Sequence, residues 1–306
     1  MSPATVVVRS PAKVNLGLSV GAAKSDGYHA VATVYHAISL YDEVKARPHA
    51  TPGEVTVGVT GEGARAVPLD DSNLAVQAAR RLAKAFDVRS GVALSIHKTI
   101  AVAGGLGGGS TDAAAALLAC DALWQTGATR DDLFAIAAEL GSDVPFCLHG
   151  GNAIGTGRGD TLSSVLSRGS YEWVLAYATD GLSTPAVYAA LDKMRAVSRI
   201  SASAPGVRED LMAGLRSGDP YAVGAALYND LQPAALRLRP ALRRTLELGE
   251  EYGALGSIVS GSGPTCLFLA SDAEHAVDLA VALSGSGLCS SVQRASGPVP
   301  GARLTT

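Results

Sequence analysis

The chain has 306 residues, of which 47% are hydrophobic and 17% charged, and its formal net charge is −3. That length exceeds the roughly 100–200 residues of a usual single domain, so two domains or one large one are expected around a real core. The composition excludes disorder and a collagen-like repeat, no Lys/Arg-dense run offers a grip on nucleic acid, and the longest greasy stretch, residues 113–124, is too short to span a bilayer.

The N-terminal residues carry neither a basic segment nor a cleavage signature and lead at once into a strand pattern, so export is not expected. Strand-like runs follow at residues 5–10, 14–20, 31–40, 55–59 and 92–96. Helical patterns cover residues 73–86, 111–124 and about 129–140. The second has no polar face and should be buried, and the third opens on Thr-Arg-Asp-Asp and stops at Gly141.

Past Gly150-Gly151, a strand at residues 173–177 begins a second alternation. Helices are predicted near 210–215, 220–228, 240–251 and 273–283, strands at 257–260, 265–270 and 290–295, and a surface loop at 195–207. The pattern predicts an α+β protein with domains 1–165 and 166–306. Cys120, Cys147, Cys266 and Cys289 are far apart with no CxxC pair, which fits reduced, mostly buried thiols in a cytoplasm.

The densest chemical signal is Val102-Ala103-Gly104-Gly105-Leu106-Gly107-Gly108-Gly109-Ser110-Thr111-Asp112, directly before a helix. A glycine loop entering a helix directs unpaired N–H groups and the positive end of the dipole at one spot, a place for phosphate. A Walker loop is excluded because the chain has no Gly-Lys dipeptide, and a Gly-x-Gly-x-x-Gly fingerprint is absent as well. Ser110 and Thr111 can cap the helix and offer hydroxyls to a phosphate or its Mg²⁺, with Ser110 the leading metal ligand. Asp112 is expected to point away from the phosphates, since a carboxylate beside them would be repelled. No HExxH or Cys/His cluster suggests zinc.

In order along the chain, Pro11-Ala12-Lys13-Val14-Asn15-Leu16, the glycine loop, and Gly261-Ser262-Gly263-Pro264-Thr265 resemble the three motifs of the GHMP small-molecule kinases. The added signatures Asp26-Gly27-Tyr28-His29 and Gly141-Ser142-Asp143-Val144-Pro145-Phe146 resemble a branch acting on a cytidine-diphosphate ester of methylerythritol in the non-mevalonate isoprenoid pathway. Two departures are visible: the loop begins Val-Ala-Gly-Gly-Leu where many members have Pro-x-Gly-Gly-Gly-Leu, and Thr111-Asp112 replaces the frequent Ser-Asn or Ser-Ala.

The resemblance implies an N-terminal half like domain 2 of ribosomal protein S5, a ferredoxin-like C-terminal half, and an active site in the cleft between them. It implies ATP and Mg²⁺ as cofactors and phosphorylation of the ester's 2-hydroxyl, with no obligate protein partner. Lys13 would be the catalytic lysine and Asp143 the base; without the family, Lys13 reads as a surface lysine and Asp143 as a helix cap. Tyr28 and Tyr188 would sandwich the cytosine, His29 would hydrogen-bond it, and Asn15 would hold the acceptor near the transferred group. Lys98 and Asn73 would lie near adenine or its ribose, and the turn at 260–265 would close on the phosphates. Homoserine, mevalonate or sugar kinase activity is the rival expectation within the fold; a nucleotide sensor without catalysis is the rival outside enzymes.

Overall fold

The computed structural model describes residues 5–25, 27–102, 104–199 and 202–305; Asp26 and Ala103 of the motifs, and residues 200 and 201 of the predicted loop, lie outside that set. The first half contains β1 (Val6–Ala23), β2 (His29–His49), β3 (Val55–Gly61), α1 (Leu74–Ala85), β4 (Gly91–Lys98), α2 (Gly108–Trp124), α3 (Arg130–Leu140), α4 (Val144–His149), β5 (Asn152–Thr156) and β6 (Thr161–Ser164). The second contains β7 (Tyr171–Tyr177), α5 (Thr184–Ser198), α6 (Glu209–Ser217), α7 (Pro220–Ala226), β8 (Tyr228–Asn229), α8 (Gln232–Leu238), α9 (Ala241–Glu251), β9 (Gly256–Val259), β10 (Cys266–Ala270), α10 (Ala273–Gly285), β11 (Ser291–Gly297) and β12 (Arg303–Leu304).

The two runs expected at residues 5–10 and 14–20 are one strand. Between them the pairing of β1 with β2 shifts register at Pro11/Ala12 and again at Asn15/Gly17. A proline has no N–H to give the ladder, and a bulge absorbs it while adding twist. Beyond that first shift the alternation of a strand sets Lys13 and Asn15 on the same face.

The larger sheet runs β12-β1-β2-β4-β3, with β5 on the other part of β2 and β8 beside β1. The smaller, antiparallel sheet runs β11-β7-β10-β9, the 4-1-3-2 order of a ferredoxin-like unit. Strands β8 and β12 belong to the second half of the sequence yet extend the first sheet, so the halves are interlaced rather than joined at one boundary.

Helices α1 and α2 cover one face of the large sheet, with α3 packed on both, over a core of Val8, Val44, Leu94, Leu117 and Leu140. A second core, including Val14, Leu16, Ile38, Trp173, Leu175 and Leu267, fuses the two sheets, and a third lies between the small sheet and α5, α8, α9 and α10. The apolar α2 is buried almost along its length because it packs against β1, β2, α1 and α4.

Several elements escaped the sequence pattern. The glycine-rich stretch at 155–159 is a β5–β6 hairpin, α5 runs to Ser198 into the expected loop, and α4 and α8 are only 6 and 7 residues long, too short for a helical period to register. Helix α2 begins at Gly108, three residues before the expected start, capped by Gly107 at φ 75°.

Candidate active site

The glycine loop, the bulged part of β1, the start of α4, one face of α5 and the third motif line a cavity of about 460 Å³. The loop is fixed from both sides. The Lys13 N–H donates to the Leu106 carbonyl at 3.1 Å, tying it to β1. On the other side Gly105, at φ 78°, passes so close to the third motif that a Cβ there would lie 2.6 Å from the Ser260 carbonyl oxygen. Only glycine meets both conditions. The Gly107–Ser110 segment therefore presents the opening turn of α2, with its free N–H groups, to the cavity.

Lys13 and Asp143 come together although 130 positions separate them: the ammonium lies 3.2 Å from Asp143 Oδ2 and donates to Asn15 Oδ1 at 3.0 Å. Asp143 occupies the N-cap position of α4 but makes no capping bond, leaving its carboxylate turned toward the cavity. Its Oδ1 accepts from the Tyr35 hydroxyl at 2.8 Å, a partner the sequence did not disclose. Burial first, and the Asp143 charge second, raise the Tyr35 pKa well above its ordinary value, so the phenol stays a donor. Asn15 is also spent internally, giving its amide N–H to Thr33 Oγ1 at 2.7 Å, while Thr33 donates to the Gly17 carbonyl at 2.8 Å. Its role in this geometry is to hold Lys13; an acceptor would meet it only along the cavity wall.

The structure gives Asn73, Thr111 and Lys98 partners within the protein that their expected roles did not include. The Asn73 side chain caps α1, accepting from the Ala75 N–H and donating to the Pro68 carbonyl, so it is not free for adenine or ribose. The neighbouring Ala66, Val67, Pro68 and Leu74 form that part of the wall instead. Thr111 turns away from the phosphates and donates to the Pro11 carbonyl at 3.0 Å. Lys98 sits beneath the loop rather than beside a base, its ammonium bonded to Asp42, to Asp112 at 2.7 Å and to the Gly108 carbonyl at 3.3 Å. Asp112 points to Lys98 beneath the loop, which offsets its charge, and it also borders the cavity.

The buried set holds two carboxylates and one ammonium. Burial raises the Asp112 pKa, with Asp42 adding to the rise and Lys98 opposing it; burial lowers that of Lys98, but the two carboxylates outweigh it and the net shift is upward. Asp42 Oδ1 also accepts from the Thr99 and Ile100 N–H groups, which fixes the chain leading into the loop.

Ser110 is half-buried and lines the cavity, as does the exposed Val102. Among the described residues no group of three His, Cys, Asp or Glu side chains is placed to hold a metal. A magnesium carried by nucleotide phosphates needs only one or two protein oxygens. The residues fit that demand, because Ser110 is within the first turn of α2 and Asp112 Oδ1 is buried with no hydrogen-bond partner.

At the far end, His29 and Tyr188 stack with ring centres 4.9 Å apart and planes tilted by 42°. His29 Nε2 lies 2.9 Å from Asp192 Oδ1. Asp192 is one helical turn beyond Tyr188 on α5, so α5 supplies both a ring and a carboxylate to the histidine. Tyr28 is 56% exposed and its ring is covered by the Arg158 guanidinium at 4.1 Å, from the β5–β6 hairpin. Tyr28 and Tyr188 are thus both near the site, with Arg158 in the stacking position on Tyr28. Tyr35, Asp192 and Arg158 were missed for one reason: each is set by a partner distant in sequence and carries no local motif.

Comparison with known proteins accords with this arrangement. Residues 73–151 match the GHMP kinases N terminal domain and residues 211–288 the GHMP kinases C terminal domain. The chain is 53% identical, over 99% of both sequences, to the 4-diphosphocytidyl-2-C-methyl-D-erythritol kinase of Thermobifida fusca (strain YX). A crystal structure of a 4-(cytidine 5'-diphospho)-2C-methyl-D-erythritol kinase superimposes with a TM-score of 0.76 at 32% identity, covering 94% of this chain and 98% of that one. A homoserine kinase from Cytophaga hutchinsonii reaches a TM-score of 0.79 at 20% identity, covering 100% and 98%, a likeness of fold alone. The chain belongs to the GHMP kinase family, on the branch of its 4-diphosphocytidyl-2-C-methyl-D-erythritol kinase relatives.

Proposed function

We propose that the chain transfers the γ-phosphoryl group of ATP to the 2-hydroxyl of 4-(cytidine 5'-diphospho)-2-C-methyl-D-erythritol, the kinase step of the non-mevalonate isoprenoid route. The observation that carries this reading is the meeting, in one cavity, of the glycine loop with the Lys13–Asp143 pair and with Tyr188, whose ring centre lies 4.9 Å from that of His29. The amides opening α2 bind the phosphates. Lys13 places positive charge beside the reacting oxygens, and Asp143 orients the attacking hydroxyl and takes its proton late, as a loose phosphoryl transition state permits. Tyr35 holds Asp143 in that orientation. Tyr188 and His29 receive the cytosine, with Tyr28 joining them once Arg158 leaves its ring.

Ser110 would hold a Mg²⁺ carried by the triphosphate, and that ion would supply charge neutralisation on the transferred group. The free cysteines, three of them buried, suit a reducing cytoplasm, and we place the reaction there, with a first domain near 1–165 completed by β8 and β12 and the second formed by the rest of 166–306. Among the described residues no helix is long and apolar enough to cross a membrane. The test is ADP release from Mg·ATP with a panel of acceptors. The cytidine-capped methylerythritol should be phosphorylated in preference to mevalonate and homoserine; turnover of mevalonate but not the capped ester would replace this reading.

A further inference from the structure

The Asp192 carboxylate has one observed partner among the described residues, His29 Nε2, and no place in the reaction as derived so far. A carboxylate can only accept a hydrogen bond, so the proton of a neutral His29 is held on Nε2 and the lone pair is left on Nδ1. No hydrogen bond to Nδ1 occurs among the described residues. His29 is buried, and Asp192 reaches it from the same helix that supplies Tyr188.

We infer that Asp192 is a positioning residue that sets the tautomer of His29 and thereby makes the site select an amino-bearing pyrimidine over an oxo-bearing one. The inference rests on the reading of a cytidine-capped acceptor and adds to it the origin of the base preference. The bases differ at two adjoining positions: cytosine carries an exocyclic N4 amine, a donor, beside a bare N3, where uracil carries an O4 carbonyl, an acceptor, beside an N3–H, and His29 is assigned to the exocyclic group. An Nδ1 lone pair accepts from the amine, whereas against the carbonyl it sets acceptor against acceptor in a desolvated place. A site whose buried polar groups are left unpaired by the wrong ligand discriminates more strongly than one that only loses contact area. His29 alone does not fix the choice, because the other tautomer favours the other base.

Asp192→Asn and Asp192→Ala together test this: the amide can donate to Nε2 and draw the proton to Nδ1, and alanine removes the acceptor whichever way an amide would turn. The readouts are the ring ¹⁵N signals of His29 at pH 8 and the Kd values of CDP and UDP for the full-length protein. The unmodified protein should show the Nε2–H tautomer and prefer CDP. In Asp192→Asn the proton should move toward Nδ1 and the CDP-to-UDP preference should shrink about tenfold, the scale of one neutral hydrogen bond. Asp192→Glu, which keeps an acceptor, should retain most of the preference, and with the capped acceptor Asp192→Asn should raise KM more than it lowers kcat. A wild-type Nδ1–H tautomer, no wild-type preference for CDP, or an unchanged ratio in both Asp192→Asn and Asp192→Ala overturns the inference. If the capped acceptor is not phosphorylated while the tautomer and preference behave as stated, the proposed function alone falls; if it is phosphorylated while Asp192→Asn and Asp192→Ala both discriminate unchanged, the role of Asp192 alone falls.

Discussion

Asp143 is gripped by two groups of opposite character, an ammonium on one oxygen and a phenol on the other. Replacement by asparagine keeps the shape and removes the proton acceptor, so Asp143→Asn should keep its melting temperature and ATP affinity while kcat falls by ~10²–10⁴, the usual weight of a general base. Steady-state rates alongside ATP titration check this. Tyr35→Phe removes one hydrogen bond to the carboxylate and leaves the ion pair, so kcat should drop about tenfold with KM little changed, measured with the same assay. Lys13 and Asp143 were legible because each sits in a contiguous motif. Tyr35 was not, since an aromatic within an apolar strand reads as core until its partner 108 positions away is known.

The loop and α2 act as one element, with Lys98 as the post beneath them. Lys98→Met would leave Asp42 and Asp112 facing each other without their cation, and breaking such a buried pair costs about 3–5 kcal/mol. The urea midpoint should fall accordingly, whereas a lysine that served only as the expected adenine or ribose contact would change only the ATP Kd. Gly105→Ala should have the complementary signature: it forces a side chain against the Ser260 carbonyl at positive φ, so ATP affinity should weaken by at least tenfold in a titration. The glycine run announced this element plainly. The correct start of α2 and the turning of Thr111 to the Pro11 carbonyl stayed hidden, because a glycine cap leaves no polar signature to mark the boundary.

Across the described residues the two sheets are joined by apolar contact and by polar links, among them a chain in which Trp173 Nε1 donates to His36 Nε2 at 3.0 Å, His36 Nδ1 meets Asn152 Oδ1 at 2.6 Å, and Asn152 donates to Ser167 at 2.7 Å. Accepting from tryptophan requires a neutral imidazole. Burial pushes the His36 pKa from its ordinary 6.5 down to about 4, only partly offset by the bond to Asn152. The unfolded chain therefore binds this proton more readily than the folded one between those values. Stability from this site is complete above pH 6.5, declines as pH falls toward 4, and is lower by up to about 3 kcal/mol once both forms are protonated. In His36→Gln, which keeps a donor and an acceptor but does not titrate, the drop in urea midpoint from pH 7 to pH 5 should be smaller than in the unmodified protein. At this scale the alternation of strands and helices disclosed the α+β class, while the return of β8 and β12 to the first sheet was invisible in two short segments that only tertiary pairing makes strands.

The bracing of Gly105 by the Ser260 carbonyl links a nucleotide loop in one sheet's territory to a turn that departs from the other sheet. Prying the two layers apart would withdraw that support, and the loop would slacken before any residue touching ATP had changed. Grip on the triphosphate is then a gauge of interlayer separation, and a crosslink that clamps the layers together should slow ATP dissociation without adding a single contact to it.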